Sequence, residues 1–291
     1  MDNIYFLMII ALAVLAIADL VVGVSNDAVN FLNSAIGSKA ISFRTIMIIA
    51  SIGIACGAIF SSGLMEVARK GIFNPGEFYF QEIMFIFMAV MITDILLLDF
   101  FNSHGMPTST TVSIVFELLG AAVAMSLLKI GAANGDFSDV VNYINTSKAI
   151  QIISGILLSV LVAFTIGAIV QWISRLLLSY NFQKKAKWTG VLFGGVALSS
   201  IVYFILMKGI KGTPYADETF EILGGLKIKD FLEAEVFGIV LVNFVLWSLL
   251  SYVMIYLAKV NIYKVIIGVG TFALALAFAG NDLVNFIGVP I

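Results

Sequence analysis

The sequence predicts an all-α polytopic membrane protein, built as an inverted repeat with broken or re-entrant helices. Three observations predict it. Hydrophobic residues make up 61% of the 291-residue chain and charged residues 12%, against roughly 25% charged in a soluble domain; mean hydropathy is +1.07. Several apolar runs exceed the ~18 residues that mark a transmembrane helix. The same polar cluster interrupts the apolar pattern near both ends: Ser25-Asn26-Asp27-Ala28-Val29-Asn30-Phe31 and Gly280-Asn281-Asp282-Leu283-Val284-Asn285-Phe286, identical at five of seven positions.

Taken in order, the apolar runs predict helices at about 4–24, 43–65, 82–101, 111–130, 149–179, 187–208, 236–258 and 263–280. The first is read as a membrane helix rather than a signal peptide, because Met1-Asp2-Asn3 supplies no basic start and the run is long. Segments 25–38 and 102–110 read as polar interruptions, and 66–81, 131–148 and 209–235 as loops, with Asp217 to Glu235 amphipathic enough to lie along the interface. The spacings Gly53–Gly57 and Gly190–Gly194 predict close helix packing.

Basic residues in short loops set orientation. The densest group, Arg175, Lys184, Lys185 and Lys187, belongs on the cytoplasmic side. Counting spans from it, the first Asn-Asp cluster follows a helix running inward and the second a helix running outward, which is the pattern of an inverted repeat. Residues 1–180 then form the first repeat. Residues 181–291 hold connecting helices and the opening of a second repeat that looks truncated, because the chain ends just after the second cluster.

A carboxylate in a hydrocarbon setting is costly and marks function by default. Asn26, Asp27 and Asn30 offer one carboxylate and two amide oxygens, with Asn26 and Asn30 one turn apart on a helix. Asn281, Asp282 and Asn285 repeat the set. Hard oxygen ligands suit a small hard cation. Sodium at Asn26, Asp27, Asn281 and Asp282 is the favoured reading, and a polar pair joining two helices is the plainer one. Gly23, Ser25 and Gly280 would allow the helix to unwind and add carbonyl ligands.

A second constellation is His104-Gly105-Met106-Pro107-Thr108-Ser109-Thr110-Thr111. Gly105 permits a turn and Pro107 suits a helix start. Thr108, Ser109, Thr110 and Thr111 then crowd the first turn, where free amides and the helix dipole favour an anion. Ordinary N-capping needs one hydroxyl, not four. An anion there would be repelled by Asp27 and Asp282 unless a cation lay between them. With the cation present, each ion favours the other's binding, the physical basis of symport.

These elements resemble the inorganic phosphate transporter (PiT) family of sodium- or proton-coupled phosphate symporters. The resemblance rests on Asn26-Asp27-Ala28-Val29-Asn30 followed by Gly37-Ser38-Lys39-Ala40, on Gly280 to Asn285, and on Pro107-Thr108-Ser109-Thr110-Thr111. It implies an inverted-repeat transporter, Ser109, Thr110 and Thr111 as phosphate ligands, and the six Asn-Asp residues around cations and phosphate. Val112 stands where the family often has a histidine, and a second hydroxyl element is absent. If residue 291 is a natural end, a second chain, as in a homo-oligomer, would complete the phosphate cradle.

Other polar residues carry weaker claims. Asp94 and Glu117 are accessory candidates, as protons' relays or cation holders; Asp99 and Asp19 stand close behind. His104 is the one histidine and reads as structural. Cys56 alone allows neither an internal disulfide nor a thiolate cluster. No HExxH, GxSxG or Walker-type loop is present, so the chain does not read as an enzyme. A net charge of −2 gives no reason to expect nucleic acid as a partner. The expectation is a sodium- or proton-coupled carrier of inorganic phosphate in the cell membrane, inner or plasma. It works by alternating access, with no cofactor beyond the co-transported ion. Another oxyanion such as sulfate, or a non-transporting subunit, remains the alternative.

Overall fold

In a computed structural model of the chain, the structure describes residues 2–60, 71–178, 182–211, 214–219 and 225–281. They form ten α-helices and three short 3-10 turns. The helices are α1 (Asp2–Ser38), α2 (Phe43–Phe60), α3 (Phe80–Ser103), α4 (Thr110–Ala132), α5 (Val140–Tyr143), α6 (Thr146–Leu178), α7 (Phe182–Lys211), α8 (Ile228–Ala234), α9 (Val236–Tyr256) and α10 (Ile262–Asn281). Among the described residues, seven helices are long and apolar enough to cross a membrane. Many of their large apolar side chains are exposed, as a lipid-facing surface requires. The chain is an integral membrane protein.

The element most changed from expectation is α1. Segment 25–38 reads as an interruption, yet the helix runs unbroken from Asp2 to Ser38. The polar side chains are satisfied without unwinding: Ser25 Oγ donates to the carbonyl of Val21 at 2.8 Å, and the neighbouring Asn26 and Asp27 find partners on other elements. The break falls elsewhere. Helix α3 ends at Ser103, and residues 104–109 cross to α4 outside any helix. Gly105 takes φ +65° there, a conformation costly to any residue with a Cβ. His104 closes α3, its Nδ1 2.8 Å from the carbonyl of Phe100. The presumed loop 131–148 is also partly helical, through a turn at Phe137–Asp139 and α5.

The chain divides into two compact units. One comprises residues 1–30, 64–159 and 281–291, the other 31–63 and 160–280. In the first, α3 packs on α4. Helix α4 buries Thr110, Ser113, Ile114, Leu118, Ala122, Ser126 and Ile130, a stripe at steps of three and four. Small residues in that stripe let the backbones approach. At its far end Lys129 pairs with Glu82 at 2.9 Å and lies 4.3 Å above the Tyr79 ring.

In the second unit α7 packs along α9, and the two glycine spacings do what their sequence suggests. A Cβ on Gly53 would lie 2.7 Å from the carbonyl oxygen of Phe272, and one on Gly57 would fall onto that of Leu276. Gly194 meets Ser251 in the same way. Asp217 and Lys229, both exposed, pair at 2.6 Å beside Lys227 at 3.1 Å.

Candidate functional site

The first unit brings the first Asn-Asp cluster and the hydroxyl element together. Asn26 is 3% exposed and acts as a three-way fastener. Its Oδ1 accepts from the backbone N–H of Thr108 at 3.0 Å. Its Nδ2 donates to Asn102 Oδ1 at 2.8 Å and to the carbonyl of Met106 at 3.5 Å. Asn102 in turn donates to the carbonyl of Val22 at 3.1 Å. The loop before α4 is thereby tied to α1 at a fixed height.

Asp27 is equally buried, at 3%. Its Oδ2 accepts from Thr110 Oγ1 at 2.9 Å, and its Oδ1 from Asn30 Nδ2 at 3.3 Å. Each carboxylate oxygen has two lone pairs, so a cation can still share them. Thr110 is itself 1% exposed. Ser109 is the N-cap of α4, its hydroxyl accepting from the N–H of Val112 at 3.4 Å. The four hydroxyls therefore divide their work: Ser109 caps and Thr110 holds Asp27. Thr108 is fixed through its backbone, and Thr111 is half-buried and engaged.

Between these groups lies a cavity of about 350 Å³, lined by Asp27, Asn30, Pro107, Thr108, Ser109 and Thr110. A water's share of liquid volume is about 30 Å³, so the space admits a small oxyanion together with an ion. Its walls combine a carboxylate, amide and hydroxyl oxygens and the N-terminus of a 23-residue helix. That is a donor set for an anion beside an acceptor set for a cation. Among the described residues, no group of three His, Cys, Asp or Glu side chains is arranged to hold a metal ion, so a cation here would rest on one carboxylate and neutral oxygens.

The remaining candidates fall elsewhere. Glu117 and Asp94 are not among the residues lining this cavity and lie near Asp19, two turns along α1 from Asn26. Asp99 is exposed. Asn281 ends the described part of α10, and Asp282 and Asn285 lie outside the described residues. Sequence reasoning missed Asn102. An amide at the end of an apolar helix, inside a predicted interruption, was the available signal.

The chain is similar to a protein of Pyrococcus furiosus named "Putative phosphate permease", 25% identical over 91% of this chain and 60% of that protein. A namesake in Helicobacter pylori is 28% identical over 64% of this chain and 33% of its own length. The chain thus spans about three-fifths of the first relative and less of the second. Among solved structures, one titled "The sodium-dependent phosphate transporter" superposes with a TM-score of 0.71 at 18% identity, covering 97% of this chain and 66% of that one. That likeness speaks for the fold. The pattern of the Phosphate transporter family runs through residues 23–291, taking in both Asn-Asp clusters and the hydroxyl element, and the chain belongs to that family.

Proposed function

We propose that the chain carries inorganic phosphate across the cell membrane by cation-coupled symport with alternating access, sodium being the favoured ion. The observation that carries this reading is the 2.9 Å bond between Thr110 Oγ1 and Asp27 Oδ2 at the wall of the cavity. It sets a negative carboxylate against the start of α4, where an anion would bind. Two unit charges about 4 Å apart at a protein surface repel by roughly 4 kcal/mol. A cation on Asp27 reverses that sign. The Thr110 hydroxyl holds that carboxylate in the rotamer that meets the cation. Asn26, Asn30 and Asp27 would hold the cation, and Thr108, Ser109, Thr110 and Thr111 the phosphate. Asn281, Asp282 and Asn285 would supply the matching half, as an inverted repeat would require.

Phosphate is preferred over sulfate on chemical grounds. At neutral pH phosphate retains a proton, and the Asp27 carboxylate can accept it; sulfate offers no donor there. The family and its fold favour a carrier over an enzyme.

The test is uptake of labelled phosphate into proteoliposomes with and without an inward sodium gradient, for the wild type and Asp27→Asn. Sodium-driven uptake that excess unlabelled phosphate suppresses, sulfate does not, and the variant loses is the expected result. Uptake indifferent to sodium and to Asp27 would overturn the reading.

A further inference from the structure

Two turns from the cavity a second polar level crosses the same helices. Asp19 from α1, Asp94 from α3 and Glu117 from α4 lie close enough for their carboxyl groups to act on one another, Asp94 next to both of the others. Asp19 and Asp94 are 0% exposed. Both oxygens of each, together with Glu117 Oε2, have no hydrogen-bond partner. Among the described residues, the Ser113 hydroxyl donates to Glu117 Oε1 at 2.9 Å. Each of the three helices contributes one acid; Asp94 lies next to Asp19, Glu117 and Ser113, while Asp19 has Asp94 and Glu117 as its charged neighbours and Glu117 has Asp94.

Charged groups without a counter-charge are not tolerated in a membrane interior. Ionised carboxylates are acceptors only, so two of them side by side cannot bond. A proton between them makes one the donor and leaves a single shared bond where there was repulsion. A metal ion would need ligands that converge more closely than any such group among the described residues does. A proton needs only two oxygens that face each other.

The spacing links this level to the cavity. Asp19 stands seven residues before Asn26, and Glu117 seven after Thr110, about 10 Å along each helix. The Asp27–Thr110 bond and the acid cluster are thus two rungs between the same antiparallel pair of helices.

We infer that Asp19, Asp94 and Glu117 form a proton-binding site inside the membrane, distinct from the Asp27 cavity, whose occupancy changes when the cavity is filled. The second half of that statement rests on the phosphate reading above; the site itself does not.

The test is infrared difference spectroscopy of the full chain in lipid nanodiscs, with and without sodium phosphate. At neutral pH the wild type should show a protonated-carboxyl stretching band that shifts in heavy water and titrates away at alkaline pH. Asp94→Asn, Asp19→Asn and Glu117→Gln should each remove or diminish it. Asp217→Asn, on an exposed carboxylate, should leave it intact. No band in the wild type, or a band undiminished in all three variants, overturns the site. The wild-type titration gives that answer even where a variant fails to fold. Sodium phosphate should alter the band. A band present but indifferent to phosphate overturns the linkage alone, and if uptake is also absent, the phosphate reading fails while the proton site stands.

Discussion

Replacing Thr110 by valine separates the two jobs its hydroxyl could do. The side chains are nearly the same shape, so packing is kept and only the O–H is lost. Thr110 and Asp27 are 1% and 3% exposed, so water cannot replace the 2.9 Å bond. A hydrogen bond to a charged group contributes about 1.5–3 kcal/mol, which is roughly a 10- to 140-fold change in an equilibrium constant. The sodium concentration for half-maximal phosphate uptake in proteoliposomes should move by a factor in that range, because Asp27 loses the contact that fixes its rotamer. Thr110→Ser keeps the donor and should restore the wild-type value to within about threefold, a loss under 1 kcal/mol. If Thr110→Val leaves sodium dependence unchanged and weakens only phosphate binding at saturating sodium, the hydroxyl serves the anion alone. The view that it orders Asp27 for the cation would then be wrong.

Four further outcomes follow from the same geometry. Gly57→Ala drives a methyl onto the backbone of α10 and should lower stability by about 1–3 kcal/mol, read as thermal unfolding in detergent. Gly120→Ala, with nothing within 4 Å, should be neutral or stabilise by up to about 1 kcal/mol. Asn102→Leu strips Asn26 of its 2.8 Å acceptor and Val22 of a donor; labelling of Met106→Cys by a water-soluble maleimide should accelerate as the loop before α4 loosens. Asp217 is held below its ordinary value of 3.8 by its hydrogen bonds to Lys229 and Lys227. Its contribution to local order is therefore complete above that value and lost as pH falls beneath it, which limited digestion by an acid protease across that range would detect.

Much of this architecture was legible from the residues, and the rest failed for identifiable reasons. The apolar runs at 82–101 and 111–130 place α3 and α4 to within two residues at each end, because lipid demands continuous hydrophobicity and closed backbone bonding. The hydroxyl element was recognisable because a proline and a glycine frame it. Segment 25–38 was misread because polar residues in an apolar run look like a break until their partners are known. Those partners lie far off in sequence: Asn102 is 76 residues from Asn26 and Thr110 is 83 from Asp27. The acid cluster was hidden for the same reason. Glu117 shares a face with Thr110, as its spacing implies, but the antiparallel approach of α1 sets it opposite Asp19, and a helical wheel carries no such information.

The adjacent pair Asn26 and Asp27 also shows why order can matter more than content. One is an uncharged latch, held to other elements by three hydrogen bonds. The other carries the carboxylate at the cavity wall. Exchanging them, as Asn26→Asp with Asp27→Asn, would conserve composition, net charge and helix propensity. It would nevertheless put a charge on the latch and a neutral amide at the cavity wall, so a chain indistinguishable by any bulk measure would lose both its fastener and the carboxylate on which the proposed cation site depends.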